Sequence, residues 1–184
     1  MGLTSHSTGT KALDAKLILQ KQSPEDRIIA LAGNPNVGKS TIFNSLTGMK
    51  QHTGNWPGKT VANAQGRYRL HGRTYILVDI PGTYSLMAHS AEEEVARNFL
   101  CFQKPDAIAV VCDASCLERN LNLVLQTMEI SAHVVLCINL MDEAEKKGIH
   151  IDAGRLSETL GIPVVTTVGR DKKSLKSLTN ALQQ

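Results

Sequence analysis

Short, almost wholly apolar runs alternate with segments of helical spacing along most of the chain. The runs predict strands at residues 28–32, 75–80, 107–112, 134–138 and 163–167. The intervening patterns predict helices at 39–47, 91–102, 117–130, 152–160 and 174–182. Because strands that are apolar on both faces are typical of parallel sheets covered by helices, we expect a three-layer α/β fold.

One strand is expected to run the other way. Residues 66–71 alternate polar and apolar side chains, and a tight turn at 71–73 leads into the strand at 75–80. This pattern favours an antiparallel pair at the edge of the sheet. The prediction is therefore a mostly parallel, six-stranded sheet with one antiparallel edge strand.

Composition narrows the class of protein. The 184 residues carry a formal net charge of +3 and are 42% hydrophobic, which suits one globular domain without a strongly basic surface for nucleic acid. No apolar run approaches the ~20 residues that cross a bilayer, and no signal-peptide pattern is present at the N-terminus. The four cysteines form no CxxC pair, so we expect reduced thiols.

The first 26 residues differ in composition from the rest. They are rich in Ser, Thr, Gly and Lys, with a weakly amphipathic stretch at 13–19 that Pro24 follows. We interpret residues 1–26 as a mobile arm or short docking helix, and residues 27–184 as the folded domain.

A phosphate-binding loop follows the first predicted strand. Its motif is GxxxxGKS, with Thr41 next, and its residues are Gly33, Asn34, Pro35, Asn36, Val37, Gly38, Lys39 and Ser40. Glycines allow such a loop to turn its N–H groups toward phosphates at the start of a helix. Lys39 is expected to bridge the β- and γ-phosphates, and the Ser40 hydroxyl to bind Mg²⁺.

The third predicted strand ends in the sequence Asp-Ile-Pro-Gly. Asp79 at a strand's carboxyl end can hold Mg²⁺ through water, and the Gly82 N–H can bind the γ-phosphate. A second Mg²⁺ hydroxyl must come from the loop before it, where Thr53 and Thr60 are candidates and Thr60 is better placed. The same loop contains Trp56 and two glycines. Folding of this loop around a ligand and simple packing of Trp56 are equally compatible with the sequence.

The base is predicted from the motif Asn139-Leu140-Met141-Asp142. A carboxylate here accepts hydrogen bonds from guanine N1–H and N2–H₂, which adenine does not offer. The alternative for Asp142 is the N-cap of a helix, which is compatible with the base contact. Leu140 stands where Lys is usual, so we expect guanine selectivity with reduced affinity. The last recognition loop reads Thr167-Val168-Gly169-Arg170 instead of a Ser-Ala-Lys pattern, and an N–H of Val168 or Gly169 is expected to meet guanine O6.

Together these motifs indicate a Ras-like P-loop GTPase of the translation-factor class. The GNPNVGKS loop, the Gly54-Asn55-Trp56-Pro57-Gly58-Lys59-Thr60-Val61 loop and the sequence from Asp79 to Leu86 resemble the G domain of the bacterial ferrous iron transport protein B (FeoB) family. The resemblance covers about residues 27–182, and it implies that Gly58, Lys59 and Thr60 lie at the nucleotide.

The resemblance also implies the protein's setting. In that family the G domain lies on the cytoplasmic side of the bacterial inner membrane, followed by helical regulatory and membrane domains, and its GTP cycle supports Fe²⁺ uptake. The chain therefore looks like an excised or split G domain that is soluble on its own. A K⁺ ion bound by Asn36, with Asn55 and Trp56 completing the cage, is implied by similarity; a local turn contact is the alternative for Asn36.

Catalysis is expected to be slow. Thr83 occupies the position after Gly82 where many GTPases carry a water-orienting Gln, and Lys39, Thr60 and Gly82 are the other catalytic candidates. Glu93 and Glu94 are alternatives, but Ser90 and Glu93 form a capping-box pattern that needs no catalysis. A ribosome- or RNA-associated Era- or EngA-like GTPase, a non-hydrolysing nucleotide sensor and a homo-oligomer stay open.

Overall fold

The computed structural model describes residues 21–48, 51–57 and 59–183. The interpretation of residues 1–20 as an arm or docking helix and the expectation for Gly58 lie outside the described residues.

Helices cover both faces of one mixed sheet, as the strand pattern predicts. The strands are β1 (Arg27–Gly33), β2 (Gln51–Asn55), β3 (Ala62–Leu70), β4 (Arg73–Asp79), β5 (Ala107–Asp113), β6 (Val134–Asn139) and β7 (Val164–Thr166). The helices are α1 (Lys39–Thr47), α2 (Ala91–Asn98), α3 (Leu117–Ile130), α4 (Met141–Lys146), α5 (Ala153–Leu160) and α6 (Lys172–Ala181). A π-helical turn, Phe99–Gln103, continues α2, and a short 3₁₀ turn, Ala114–Cys116, precedes α3.

The sheet corrects the predicted strand count. Its order is β2-β3-β4-β1-β5-β6-β7, which makes seven strands where six were expected. The predicted antiparallel pairing of β3 with β4 is confirmed. The prediction that β3 is the edge strand is wrong, because β2 pairs with its other side. His71 and Gly72, both at positive φ, form the tight β3–β4 turn, because that backbone geometry matches the strand twist of a hairpin.

Alternate residues of β1 serve two separate cores. Ile28, Ala30 and Ala32 join the core on one face of the sheet, with residues of α2 and α3. Ile29 and Leu31 join the other core, with residues of α1 and α6. Because β1 is buried on both faces, the loop that follows it is anchored rigidly at the carboxyl edge of the sheet.

Candidate functional site

The predicted motif residues converge at the carboxyl edge of the parallel strands. The phosphate loop follows β1, Asp79 ends β4, Asn139 ends β6, and Thr167 follows β7. Ligand sites in open α/β sheets form at this edge. Motifs that are far apart in the sequence therefore lie side by side at one edge of the sheet.

The phosphate loop uses left-handed backbone at its bends. Gly38, at φ 86°, is the residue before α1, and no side chain caps the first N–H groups of this helix. A Cβ on Gly38 would collide with the side-chain amide of Asn139. Gly38 is thus required both by its backbone angle and by its neighbour, and it leaves the α1 N–H groups available for an anion.

Lys39 and Asp79 form an ion pair in the phosphate region. Lys39 Nζ lies 3.2 Å from Asp79 Oδ1, and both side chains are largely buried. Burial raises the pKa of the Asp79 carboxyl above its ordinary value, and the neighbouring ammonium of Lys39 opposes that shift. No hydrogen-bond donor in the described ranges otherwise contacts Asp79 Oδ1, which leaves this carboxylate able to turn toward a metal or its water ligands.

The loop after β4 lies directly against the phosphate loop. A Cβ on Gly82 would stand 3.2 Å from backbone atoms of Pro35. The Thr83 N–H donates to the Gly33 carbonyl at 3.2 Å, and Thr83 is buried. The structure therefore brings Gly82 and Thr83 to the predicted phosphate position.

The loop between β2 and β3 is fastened to α2 and the turn after it. Trp56 is buried, and its ring meets Phe99 edge-on with centroids 5.3 Å apart. Lys59 Nζ lies 2.8 Å from Glu94 Oε2. The packing interpretation of Trp56 is thus correct, and in this conformation Lys59 pairs with a carboxylate.

The backbone oxygens implied for K⁺ already have partners. Asn63 Nδ2 donates to the Asn55 carbonyl at 3.3 Å, and the Lys59 N–H donates to the Trp56 carbonyl at 3.0 Å. Asn36 is exposed with φ 64°, and Thr60 is also exposed. A carbonyl oxygen has a second lone pair, so these contacts are compatible with a cation.

Glu93 stabilises the start of α2 and the loop before it. The Ser90 hydroxyl accepts from the Glu93 N–H at 3.1 Å, as the capping pattern predicts. The Glu93 carboxylate accepts from the Ser85 hydroxyl at 3.1 Å and from the His89 N–H at 2.9 Å. With both oxygens engaged and Glu94 paired with Lys59, these contacts favour the structural interpretation of both glutamates.

Asn139 joins three loops of the site. Its Nδ2 donates to the Val37 carbonyl at 3.0 Å, and its Oδ1 accepts from the Thr167 hydroxyl at 3.1 Å. The Asn139 side chain is fully buried. It therefore holds the phosphate loop and the loop after β7 at a fixed separation.

A cavity of about 220 Å³ lies beside Asn139. Its lining is Thr41, Asn139, Leu140, Asp142, Val168, Gly169 and Arg170. Asp142 Oδ1 is buried there and has no hydrogen-bond partner in the part of the chain that the structure describes. A buried carboxylate oxygen without a protein donor is free to accept a hydrogen bond from a molecule in the cavity, either water or a ligand with N–H groups. A helix does begin here, α4, but its N-cap is Leu140 at φ 62°, and Asp142 lies in its first turn, so the alternative of Asp142 as the N-cap is wrong.

The loop after β7 is held by a residue that sequence reasoning missed. The Val168 N–H donates to Ser174 Oγ at 3.1 Å. The sequence predicts that the N–H of Val168 or of Gly169 meets the base. Because the Val168 N–H is engaged by Ser174, the Gly169 N–H is the candidate that remains. Ser174 lies in α6, outside the recognition motif, and only its position three residues after the N-capping Asp171 hints at a turn contact.

The sequence profile of the ferrous iron transport protein B family matches residues 27–182. The chain belongs to the FeoB family. Among curated FeoB proteins, it is 46% identical over 156 residues to the Fe(2+) transport protein A/Fe(2+) transporter FeoB fusion protein of Porphyromonas gingivalis, covering 84% of this chain and 18% of that protein. The chain spans about a fifth of the length of the curated FeoB relatives it matches.

Solved FeoB structures have the same fold. The G domain of the T. maritima FeoB iron transporter superposes with a TM-score of 0.81 at 40% identity, covering 86% of this chain and 97% of that chain. The cytosolic domain of the same transporter in a GDP form superposes with a TM-score of 0.82 at 41% identity, covering 86% and 62%. The chain therefore has the P-loop GTPase fold of the FeoB G domain.

The described part of the domain contains neither a membrane-spanning helix nor a cluster of metal-binding side chains. Across residues 21–48, 51–57 and 59–183, no helix is long and apolar enough to cross a bilayer. Within the same ranges, no group of three or more His, Cys, Asp or Glu side chains is arranged to hold a metal ion.

Proposed function

We propose that this domain binds GTP and GDP with Mg²⁺ and hydrolyses GTP slowly. The observation that carries the proposal is the orphaned Asp142 Oδ1, buried in a cavity beside the phosphate loop. Guanine offers two adjacent N–H donors to such a carboxylate, whereas adenine does not. The FeoB relative whose structure is described as a GDP form supports the same nucleotide.

The phosphates would lie where Lys39 and the first N–H groups of α1 meet. In the structure Lys39 is neutralised by Asp79 at 3.2 Å. When a nucleotide binds, the Lys39 ammonium would pair with phosphate oxygens instead of Asp79, because the phosphates carry more negative charge than one carboxylate. The uncapped N-terminus of α1, with Ser40 and Thr41 in its first turn, supplies further donors.

The residues near the phosphates suit Mg²⁺. Ser40, Thr60 and Asp79 offer oxygen donors only, which is the set that this small, hard cation prefers. Asp79 Oδ1 supports the fit, because apart from Lys39 no donor among the described residues contacts it. When bound, Mg²⁺ would neutralise charge on the phosphate oxygens.

Hydrolysis would depend on the loop after β4. Gly82 lies against Pro35, so its N–H can sense the γ-phosphate, and the next residue, Thr83, carries a hydroxyl that could orient water. Thr is shorter than Gln, and Thr83 is buried, which supports a slow rate. K⁺ held by Asn36 and by the backbone carbonyls of Asn55 and Trp56 would add positive charge at the phosphates and raise that rate.

In the full-length protein, the nucleotide state of this domain would control Fe²⁺ uptake. The family membership supports this proposal, because the curated relatives are named as Fe(2+) transporters. The helical and membrane domains would be the partners that respond. We place this domain on the cytoplasmic side of the membrane, which the description of the T. maritima relative as a cytosolic domain supports.

Base preference tests the proposal. Wild-type protein should bind GDP and reject ADP, and Asp142→Asn should weaken GDP binding by about 10- to 100-fold, because a charge-assisted contact is lost. The same variant should gain affinity for xanthosine diphosphate, whose C2 oxygen accepts from the new amide. An unchanged preference in Asp142→Asn would overturn the base assignment.

Phosphate release in K⁺ and in Na⁺ tests the reaction. Faster turnover in K⁺ is expected, and Asn36→Ala should lose the difference. If GTP binds but no phosphate is released in either salt, the domain is a nucleotide sensor, the alternative that Thr83 at the position of the usual Gln favours.

A further inference from the structure

We propose that Ser174 is a positioning residue for the guanine base, acting through the turn that carries Gly169. This inference rests on the proposed function and concerns the same site. Ser174 lies outside the nucleotide-binding motifs, in the first turn of α6.

The Ser174 hydroxyl closes the turn from both sides. It accepts from the Val168 N–H at 3.1 Å, and it lies 3.1 Å from the Val168 carbonyl and 2.9 Å from the Asp171 carbonyl. Since a hydroxyl has one hydrogen, it donates to one of these carbonyls at a time. The Asp171 N–H also donates to the Val168 carbonyl at 2.7 Å. The turn is thus defined by hydrogen bonds that meet at one side chain.

A second hydroxyl holds the same turn from α1. Ser45 Oγ donates to the Gly169 carbonyl at 3.0 Å. Gly169 itself is buried, and a Cβ there would stand 3.3 Å from Ile42 and 3.4 Å from the Asn139 amide. Because its carbonyl is held by Ser45 and its Cα faces Ile42 and Asn139, Gly169 has little freedom to reorient.

These contacts decide which N–H group reaches the base. Val168 and Gly169 both line the cavity that contains Asp142, but the Val168 N–H donates to Ser174 Oγ, which leaves the Gly169 N–H for the base. Asp142 is suited to the N1–H and N2–H₂ edge, and the Gly169 N–H to O6. In the commoner loop pattern a Ser precedes the small residue. Val168 has no hydroxyl at that point, so Ser174 supplies one from the helix.

The test compares GDP with the diphosphate of 2-aminopurine riboside, which keeps the 2-amino group but lacks O6 and the N1 hydrogen, so wild-type protein should bind it more weakly than GDP. Ser174→Ala should weaken GDP binding by about 5- to 10-fold, the loss typical of one hydrogen bond, mainly through faster dissociation. Its affinity for the 2-aminopurine nucleotide should stay at the wild-type value. Ser174→Thr, which keeps the hydroxyl, should restore GDP binding.

Ser157→Ala is the matched control. Ser157 Oγ donates to the Ile162 carbonyl at 2.7 Å in another partly buried turn, away from the cavity. This variant should bind both nucleotides as wild type does. Circular dichroism melting of each variant separates a loss of folding from a loss of binding.

Equal losses for both nucleotides in a folded Ser174→Ala protein, or an undiminished GDP affinity, would overturn the inference. Either result leaves the proposed function intact provided that wild-type protein binds GDP. Absence of GDP binding by wild type would instead overturn the proposed function.

Discussion

The indole of Trp56 packs edge-on against Phe99, at a centroid distance of 5.3 Å and an interplanar angle of 73°. This contact joins the loop after β2 to the π-helical turn after α2. The backbone N–H of Trp56 also donates to the Val61 carbonyl at 2.8 Å, and this hydrogen bond joins the two ends of the loop. The loop that carries Thr60 is therefore fastened to the core at one aromatic anchor.

Shortening this anchor should destabilise the domain. Trp56→Ala removes a side chain that is only 6% exposed, so we expect a loss of about 3–5 kcal/mol in the free energy of unfolding. Trp56→Phe should cost less than about 1 kcal/mol, because the indole Nε1 is buried without a partner among the described residues and its removal ends a desolvation penalty. Urea denaturation measures both. A larger loss for Phe than for Ala would contradict the packing role.

The pH dependence of stability should carry the signature of Asp79. Its pKa in the folded, nucleotide-free protein is raised above the ordinary 3.8 by burial, against the opposing charge of Lys39. The folded state then holds the proton more tightly than the unfolded chain does. Stability from this group is highest below pH 3.8 and falls as pH rises through the raised pKa.

Asp79→Asn should remove that contribution. Between pH 4 and pH 7, wild-type protein loses the stability that Asp79 contributes, and the variant does not. Relative to wild type, the variant should therefore be more stable at pH 7 than at pH 4. Urea denaturation of nucleotide-free protein at the two pH values measures it. An identical difference in both proteins would show that Asp79 titrates normally.

Replacing Leu140 should change nucleotide affinity more than stability. The residue is at φ 62° and lines the base cavity where the usual motif has Lys. Leu140→Lys keeps the backbone geometry and adds a charged contact beside the base and phosphate loop, so GDP should bind severalfold tighter. Stopped-flow dissociation of a fluorescent GDP analogue should show a slower rate, and an unchanged or faster rate would refute the effect assigned to Leu140.

Asn139→Ala should cost about 2–3 kcal/mol of stability even without nucleotide. The change leaves the Val37 carbonyl and the Thr167 hydroxyl buried without their partner. Asn122→Ala is the control, since that exposed amide donates to the Tyr84 carbonyl at 3.4 Å and should lie within about 0.5 kcal/mol of wild type. Similar melting curves for the two variants would contradict the role of Asn139 as the link between loops.

The sequence predicted the inner sheet well because buried parallel strands are marked by continuous apolar runs. The prediction at 28–32 lies within β1 (Arg27–Gly33), and that at 134–138 lies within β6 (Val134–Asn139). In contrast, β2 (Gln51–Asn55) has no apolar alternation and forms through backbone pairing with β3. The six-residue α4 buries only Ala144, which is too little for a periodic pattern.

The site divides in the same way. The placement of Lys39 and Asp142 at one edge of the sheet could be predicted, because each motif has a fixed spacing and directly follows a parallel strand. Their roles at a nucleotide stay predictions. Ser174 and the pairing of Lys59 with Glu94 could not, because each contact joins different elements. The burial of Trp56 likewise depends on where the turn at Phe99 lies, which spacing along the chain does not specify.

Calorimetry with purified protein, Mg²⁺ and GDP is the decisive test of guanine-nucleotide binding. We expect saturable heat at a stoichiometry of one GDP per chain, no heat with ADP, and a clear loss of affinity in Asp142→Asn. Absence of heat with GDP from folded wild-type protein, or equal heats for GDP and ADP, would contradict it.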